Sequence, residues 1–144
     1  MRGAVYDTAE VRTALNPDVY TDDAAHNGNT IDMMDGRAQS VLFILATGAI
    51  TGNTDPSWAV TLEVSSDGTT FEDAASGDLV GDLPTLTDAD AETTHVIGYS
   101  GASRYVRLVV TAAASATDTA FLAAIAIMGG VTRRAVTHAE YAAS

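Results

Sequence analysis

The 144-residue chain contains no cysteine, which excludes disulfides, thiolate metal sites and a cysteine nucleophile and leaves packing and association as the sources of stability. Lysine is absent as well. All seven basic residues are arginine, against nineteen acidic ones, for a formal net charge of −12. That balance repels phosphate backbones and anionic lipid headgroups, so neither nucleic acid nor a membrane is expected as a partner. The acidic residues are spread along the chain instead of forming a block, as on a soluble surface that resists sticking rather than one built for a single basic partner. The longest apolar runs, VLFILATGAI and AFLAAIAIM, are too short to span a bilayer. The opening MRGAVYDTAEVR lacks the apolar centre of a secretory signal, so folding in a cytoplasm is expected. Long helical periodicities are missing too.

What is present is alanine, valine, threonine, glycine and aspartate in short segments, the composition of an all-β protein of one domain. From Asn29 onward the strand signals follow one another. TIDMMD leads to a turn at Asp35-Gly36, and QSVLFILATG is a continuous apolar run that predicts a strand covered on both faces. In WAVTLEVSSDGTTF the side chains of Trp58, Val60, Leu62 and Val64 share a core face, and Asp67-Gly68 marks a tight turn. Residues 72–91 read as an acidic loop with a short strand near DLVG. Strands resume with THVIGY, RYVRLVVT and AFLAAIAIMG, the last of them apolar on both faces. Six or more strands with closely spaced turns predict a β-sandwich, jelly-roll-like, because one open sheet would leave an apolar face wet.

The ends look different. Residues 1–28 read as an extended N-terminal arm, with a weak helix signal around TAEVRTAL and a stop at Asn16-Pro17, running along a surface instead of joining the core. Residues 29–130 form the sandwich, and residues 131–144 form a C-terminal tail without a packing pattern. Ends with no local reason to fold order against something else.

Signatures of chemistry are sparse. GYSGAS around Ser100 fails the glycine spacing of a nucleophile elbow, since Ala102 stands where the second glycine belongs, and it reads as a hairpin turn. His26, His95 and His138 have no shared metal-ligand spacing. Asp88, Asp90 and Glu92 alternate in TDADAE and could offer oxygens to calcium, but the glycine and distal glutamate of an EF-hand loop are missing. No catalytic residue, metal ligand or cofactor is therefore assigned, and the chain is read as a non-enzyme.

ASRYVRLVVT places Arg107 on the strand face opposite Val106, Leu108 and Val110, beside Tyr105 and Val109. Two readings remain open. Arg107 pairs with Glu63 or another carboxylate across the sheet while Arg104 caps the strand at the rim, or the arginines anchor a protein interface.

The ordered set NTIDMMDGRAQSVLFILATG, VTLEVSSDGTTF, GYSGASRYVRLVVT and AIAIMGG with an arginine-bearing tail resembles a group of small proteins encoded beside the major capsid protein of tailed bacteriophages and prophages. These are jelly-roll head decoration, or cement, proteins. The resemblance covers residues 28–134 and implies a virion structural protein on the outer capsid surface, assembled in the host cytoplasm. Its partner would be the major capsid protein, and it would act as a homo-oligomer, a dimer or trimer. An acidic chain fits the outside of a DNA-filled shell better than the inside. Interface preferences mark Tyr6, Val19 and Tyr20 in the arm, Tyr105 and Arg107 on the sheet, and Arg133, Arg134 and Tyr141 in the tail as contact residues. The alternatives are a carbohydrate-binding jelly-roll module, whose binding would be lost on changing Tyr99 or Tyr105, and another virion component, a head-tail connector or tail protein.

Overall fold

A computed structural model of the chain describes residues 9–21, 24–35, 38–52, 56–112 and 118–130. Among the described residues, eleven strands form two antiparallel sheets. The first sheet takes β1 (Glu10–Thr21), β11 (Thr119–Gly129), β4 (Ser40–Thr51), β9 (Thr94–Tyr99) and β7 (Leu79–Val80), side by side in that order. The second takes β2 (Ala25–Asn27), β10 (Tyr105–Ala112), β5 (Ser57–Ser65) and β6 (Glu72–Asp73), with β3 (Ile31–Asp32) also pairing β10 and β8 (Thr85–Thr87) pairing β5. The chain crosses between the sheets at β1–β2, β3–β4, β4–β5, β6–β7, β7–β8, β8–β9, β9–β10 and β10–β11. This is a β-sandwich of jelly-roll-like construction.

Alternation along each strand builds the core. In β5 and β10, Leu62 lies opposite Leu108, Val64 opposite Val106, Val60 opposite Val110, and Trp58 opposite Ala112, all of them buried. The large indole fits beside the small Ala112, a size match that keeps the layer at native density. From the other sheet come Val41, Phe43 and Leu45 of β4, Ile97 and Tyr99 of β9, and Leu122, Ala124, Ala126 and Met128 of β11.

Residues 10–21 and 25–27, part of the arm expected outside the core over residues 1–28, belong to the sandwich instead. β1 is an edge strand of the first sheet, with Ala14 and Leu15 fully buried and Leu15 opposite Ala124. Two features hide this strand from a hydrophobic pattern. Glu10 and Arg12 face inward, ion-paired with one another, and Arg12 also reaches Asp35 Oδ2 at 3.0 Å, so charges stand where an alternation would show apolar side chains. The small Ala126 opposite Arg12 leaves room for the guanidinium. Pro17 lies within the second of two register shifts, Thr13/Leu15 and Leu15/Asp18, an edge-strand bulge where a missing N–H costs nothing.

The two sheets are sutured at residues 28 and 29. The Gly28 amide donates to Leu108 O at 2.7 Å in the second sheet, and the Asn29 amide donates to Ala14 O at 2.8 Å in the first. The Asn29 side chain adds bonds to Thr13 O at 3.1 Å and Asn16 Oδ1 at 3.0 Å. Among the described residues no helix is long and apolar enough to cross a membrane.

Candidate functional site: the outer face of the five-stranded sheet

The apolar run of β4 is covered on one face only. Val41, Phe43 and Leu45 are buried, whereas Leu42 and Ala46 on the other face are exposed. β11 behaves the same way: its even-numbered side chains are buried, while Phe121 and Ile125 are 51% and 41% exposed.

Strand register assembles these outward positions into rows. Val11, Ile127 and Leu42 form one, continued by Gly98 and Val80 at the far edge. Thr13, Ile125, Ile44 and Val96 form the next, with Val96 54% exposed. Ala123, Ala46 and Thr94 follow, and Val19 lies opposite Phe121 beyond them. No member of these rows is ionisable, on a chain that carries 26 charged side chains, 19 acidic and 7 basic. The surface has relief. Phe121 lies against Gly48 so closely that a Cβ there would stand 2.8 Å from the Phe121 Cβ, and Val80 stands in the same way against Gly98 at 2.9 Å. A cleft of about 440 Å³ opens between Asp18, Val19, Ala46, Gly48, Phe121 and Ala123, Asp18 being the ionisable side chain in its lining. A second, of about 360 Å³, opens between Leu42, Val80, Gly98 and Ile127. The isoleucine-valine row stands as a ridge between the two.

The face of the second sheet is of another kind. Arg107 Nε donates to Glu63 Oε2 at 2.7 Å, and its guanidinium lies 3.9 Å over the Phe71 ring. Arg104, at the rim, binds Asp32 through two bonds of 3.1 and 2.9 Å and lies 4.7 Å over Tyr105. The Arg104 bond holds the Asp32 carboxyl below the usual aspartate range. The cross-sheet pairing is the first of the two readings offered for these arginines, and it leaves their charges matched within the chain.

The other expected contact residues divide by position. Val19 joins the outer face of the first sheet. Tyr20 turns toward the core, donates its hydroxyl to Asn16 O at 2.7 Å and meets the His26 ring edge-on at 5.1 Å, and burial pushes its phenol upward. Tyr105 and Arg107 lie on the opposite sheet, so the structure does not bring them together with Val19. Tyr6, Arg133, Arg134 and Tyr141 fall outside the described residues. The residues the sequence reading missed are Leu42, Ile44, Val96, Phe121 and Ile125. Their signal was the two-faced apolarity of β4 and β11, read as cover on both sides.

The positions weighed for chemistry are occupied by structural work. Asp88, Asp90 and Glu92 do not project in alternation, because Asp88–Asp90 is a 3-10 turn. Asp90 Oδ2 accepts from the Thr87 amide at 2.9 Å and the Thr87 hydroxyl at 3.0 Å, and these bonds lower its pKa. Ser100 sits in the connection from β9 to β10, its amide donating to Asp78 O at 2.9 Å. Among the described residues no three His, Asp or Glu side chains gather as a metal-binding group. Trp58 and Tyr99 are buried, and the Tyr99 hydroxyl accepts from the Ser103 amide at 3.1 Å, so neither ring is available to stack on a sugar.

No protein-family profile matches the chain. No curated protein matches it in sequence either. Among solved structures it is similar to the C-terminal family 22 carbohydrate-binding module of Clostridium thermocellum Xyn10B, at 14% identity and a TM-score of 0.45 over 88% of this chain and 84% of that one.

Proposed function

We propose that the protein is a virion structural component, a decoration protein that docks on the outside of a tailed-phage head and stabilises the lattice of its major capsid protein. The observation that carries this reading is the largely apolar outer face of the first sheet, which suits a protein that works by association with other protein. A sandwich that leaves its broadest apolar sheet open gains free energy by being covered, and exposed patches of this kind mark protein–protein contact. The strand segments that resemble decoration proteins form the sandwich itself, which supports the same reading. The acidic remainder of the surface suits a site outside packaged DNA, where like charge keeps particles apart. Many shallow contacts repeated by lattice symmetry give such a protein its hold, with no active site required.

Co-sedimentation tests the proposal. Empty shells assembled from the major capsid protein encoded in the same genome should carry the protein down to a fixed, saturable ratio, and electron microscopy should show added density at regular lattice points. Shells that pellet without it overturn the reading.

A further inference from the structure

We infer that the outer face of the first sheet is the twofold interface of a homodimer, its occupant a second copy of the same chain. Three observations select that occupant. The first is area. β11 has 11 residues and so runs about 36 Å, and four strands side by side span about 19 Å, an outline of about 700 Å². That is close to the roughly 800 Å² per partner of a standard interface and above the patch size common on monomers.

The second is charge. Two copies of net charge −12 repel wherever their acidic surfaces meet, so self-association favours a face poor in ionisable groups. The open rows supply one, with Asp18 the ionisable side chain lining the cleft beside them. A basic partner would be met by clustered carboxylates, and this face does not offer a cluster.

The third is relief. The ridge of Ile125, Ile44 and Val96 runs beside the hollow floored by Ala123 and Ala46. A twofold axis lying in the interface, parallel to these rows and midway between ridge and hollow, seats each copy's ridge in the other's hollow. Sheets packed face to face in this way are the geometry the sandwich already uses inside. The inference goes beyond shell binding and does not depend on it: with this face taken by the second copy, the dimer would meet a shell through its remaining surface.

Sedimentation velocity on the full chain is the test. The wild type should sediment as a dimer at micromolar concentration, and Ile125→Asp, at a half-exposed position, should raise the dissociation constant at least about 100-fold while far-UV circular dichroism stays unchanged. The dimer should tighten as NaCl rises from about 0.05 M to about 0.5 M, because salt screens the repulsion. Should Ile125→Asp fail to fold, cysteine variants decide, since the chain has no cysteine of its own. A bismaleimide should join Ile44→Cys copies and leave Thr61→Cys copies, on the opposite sheet, as monomers. A wild type that stays monomeric to about 100 μM, a trimer, or crosslinking through Thr61→Cys alone overturns the inference. So does an Ile125→Asp variant that loses shell binding without a change in mass. Failure to bind shells with the dimer intact removes only the proposed function.

Discussion

Replacing Gly28 by alanine should be among the most damaging single-methyl changes available in this protein. A Cβ on Gly28 would collide with Ala14 O and stand 2.6 Å from Leu108 O, and both atoms are backbone, unable to swing aside. Relieving a carbon–oxygen contact to the ordinary distance of about 3.3 Å requires displacement of about 0.7 Å. The same displacement stretches the Gly28–Leu108 and Asn29–Ala14 hydrogen bonds that join the sheets. Two weakened bonds at about 1 kcal/mol each and overpacking of about 1–2 kcal/mol give a loss of about 3–4 kcal/mol. A fall in Tm of about 10 °C should accompany it. Gly77 is the matched control: no heavy atom lies within 4 Å of its added Cβ, and alanine there should change stability by no more than about 0.5 kcal/mol. Urea unfolding followed by the fluorescence of Trp58, the single tryptophan and fully buried, measures both variants. A Gly28→Ala midpoint equal to that of Gly77→Ala would refute the claim that residue 28 sutures the two sheets.

Arg12→Met removes the guanidinium that stands between Glu10 and Asp35 and with it both ion pairs at a buried site, so unfolding free energy should fall by about 3 kcal/mol, read from the same urea transition. Acid stability follows from two aspartates whose folded pKa values lie below normal, Asp32 through the Arg104 side chain and Asp67 through the amides of Thr70 and Thr69. Such groups contribute stability that is fully present above their unfolded pKa of about 3.9 and is lost as pH falls through the folded values. Arg104→Gln should therefore lower the urea midpoint at pH 7 and make its decline below pH 4 shallower than in the wild type. An equal decline in both proteins would count against the Asp32–Arg104 assignment.

The strands with one clean apolar face were legible because alternation and burial coincide in them. Trp58 to Val64 and Val106 to Val110 point inward as their spacing predicts. β1 was not legible, because Glu10 and Arg12 solve an inward-facing problem by pairing with one another, and pairing across alternate residues leaves no mark in a hydrophobicity pattern. Asn16-Pro17 compounded this, since a proline that stops a helix also suits a bulged edge strand. The exposed face failed for the opposite reason. Isoleucine and alanine on both sides of β4 and β11 look the same whether the second side meets another layer of this chain or another molecule. Only the strand order shows that no element of the described chain covers it. Arg107 was readable to the level of its partner Glu63, because directly opposed residues in neighbouring strands meet whatever else the fold does.

An open apolar face on a β protein invites uncontrolled association, and the molecule's edges show how that is limited. Sheets grow by adding strands to bare edges, and here every edge is blunted. β1 carries Pro17 and two register shifts, β7 and β6 are two residues long, and β2 is three. Among the described residues, lateral extension has no long, regular template on either sheet. The acidic surface then bars random contacts between copies, while the neutral face remains the one place where two chains meet without like-charge repulsion. In the proposed dimer, contact there buries the same face on both partners, and among the described residues no further open apolar sheet face is left to recruit a third copy. Blunt edges, repelling flanks and a single greasy face together favour the closed pair proposed above, where any one of the three alone would permit fibres, monomers or aggregates.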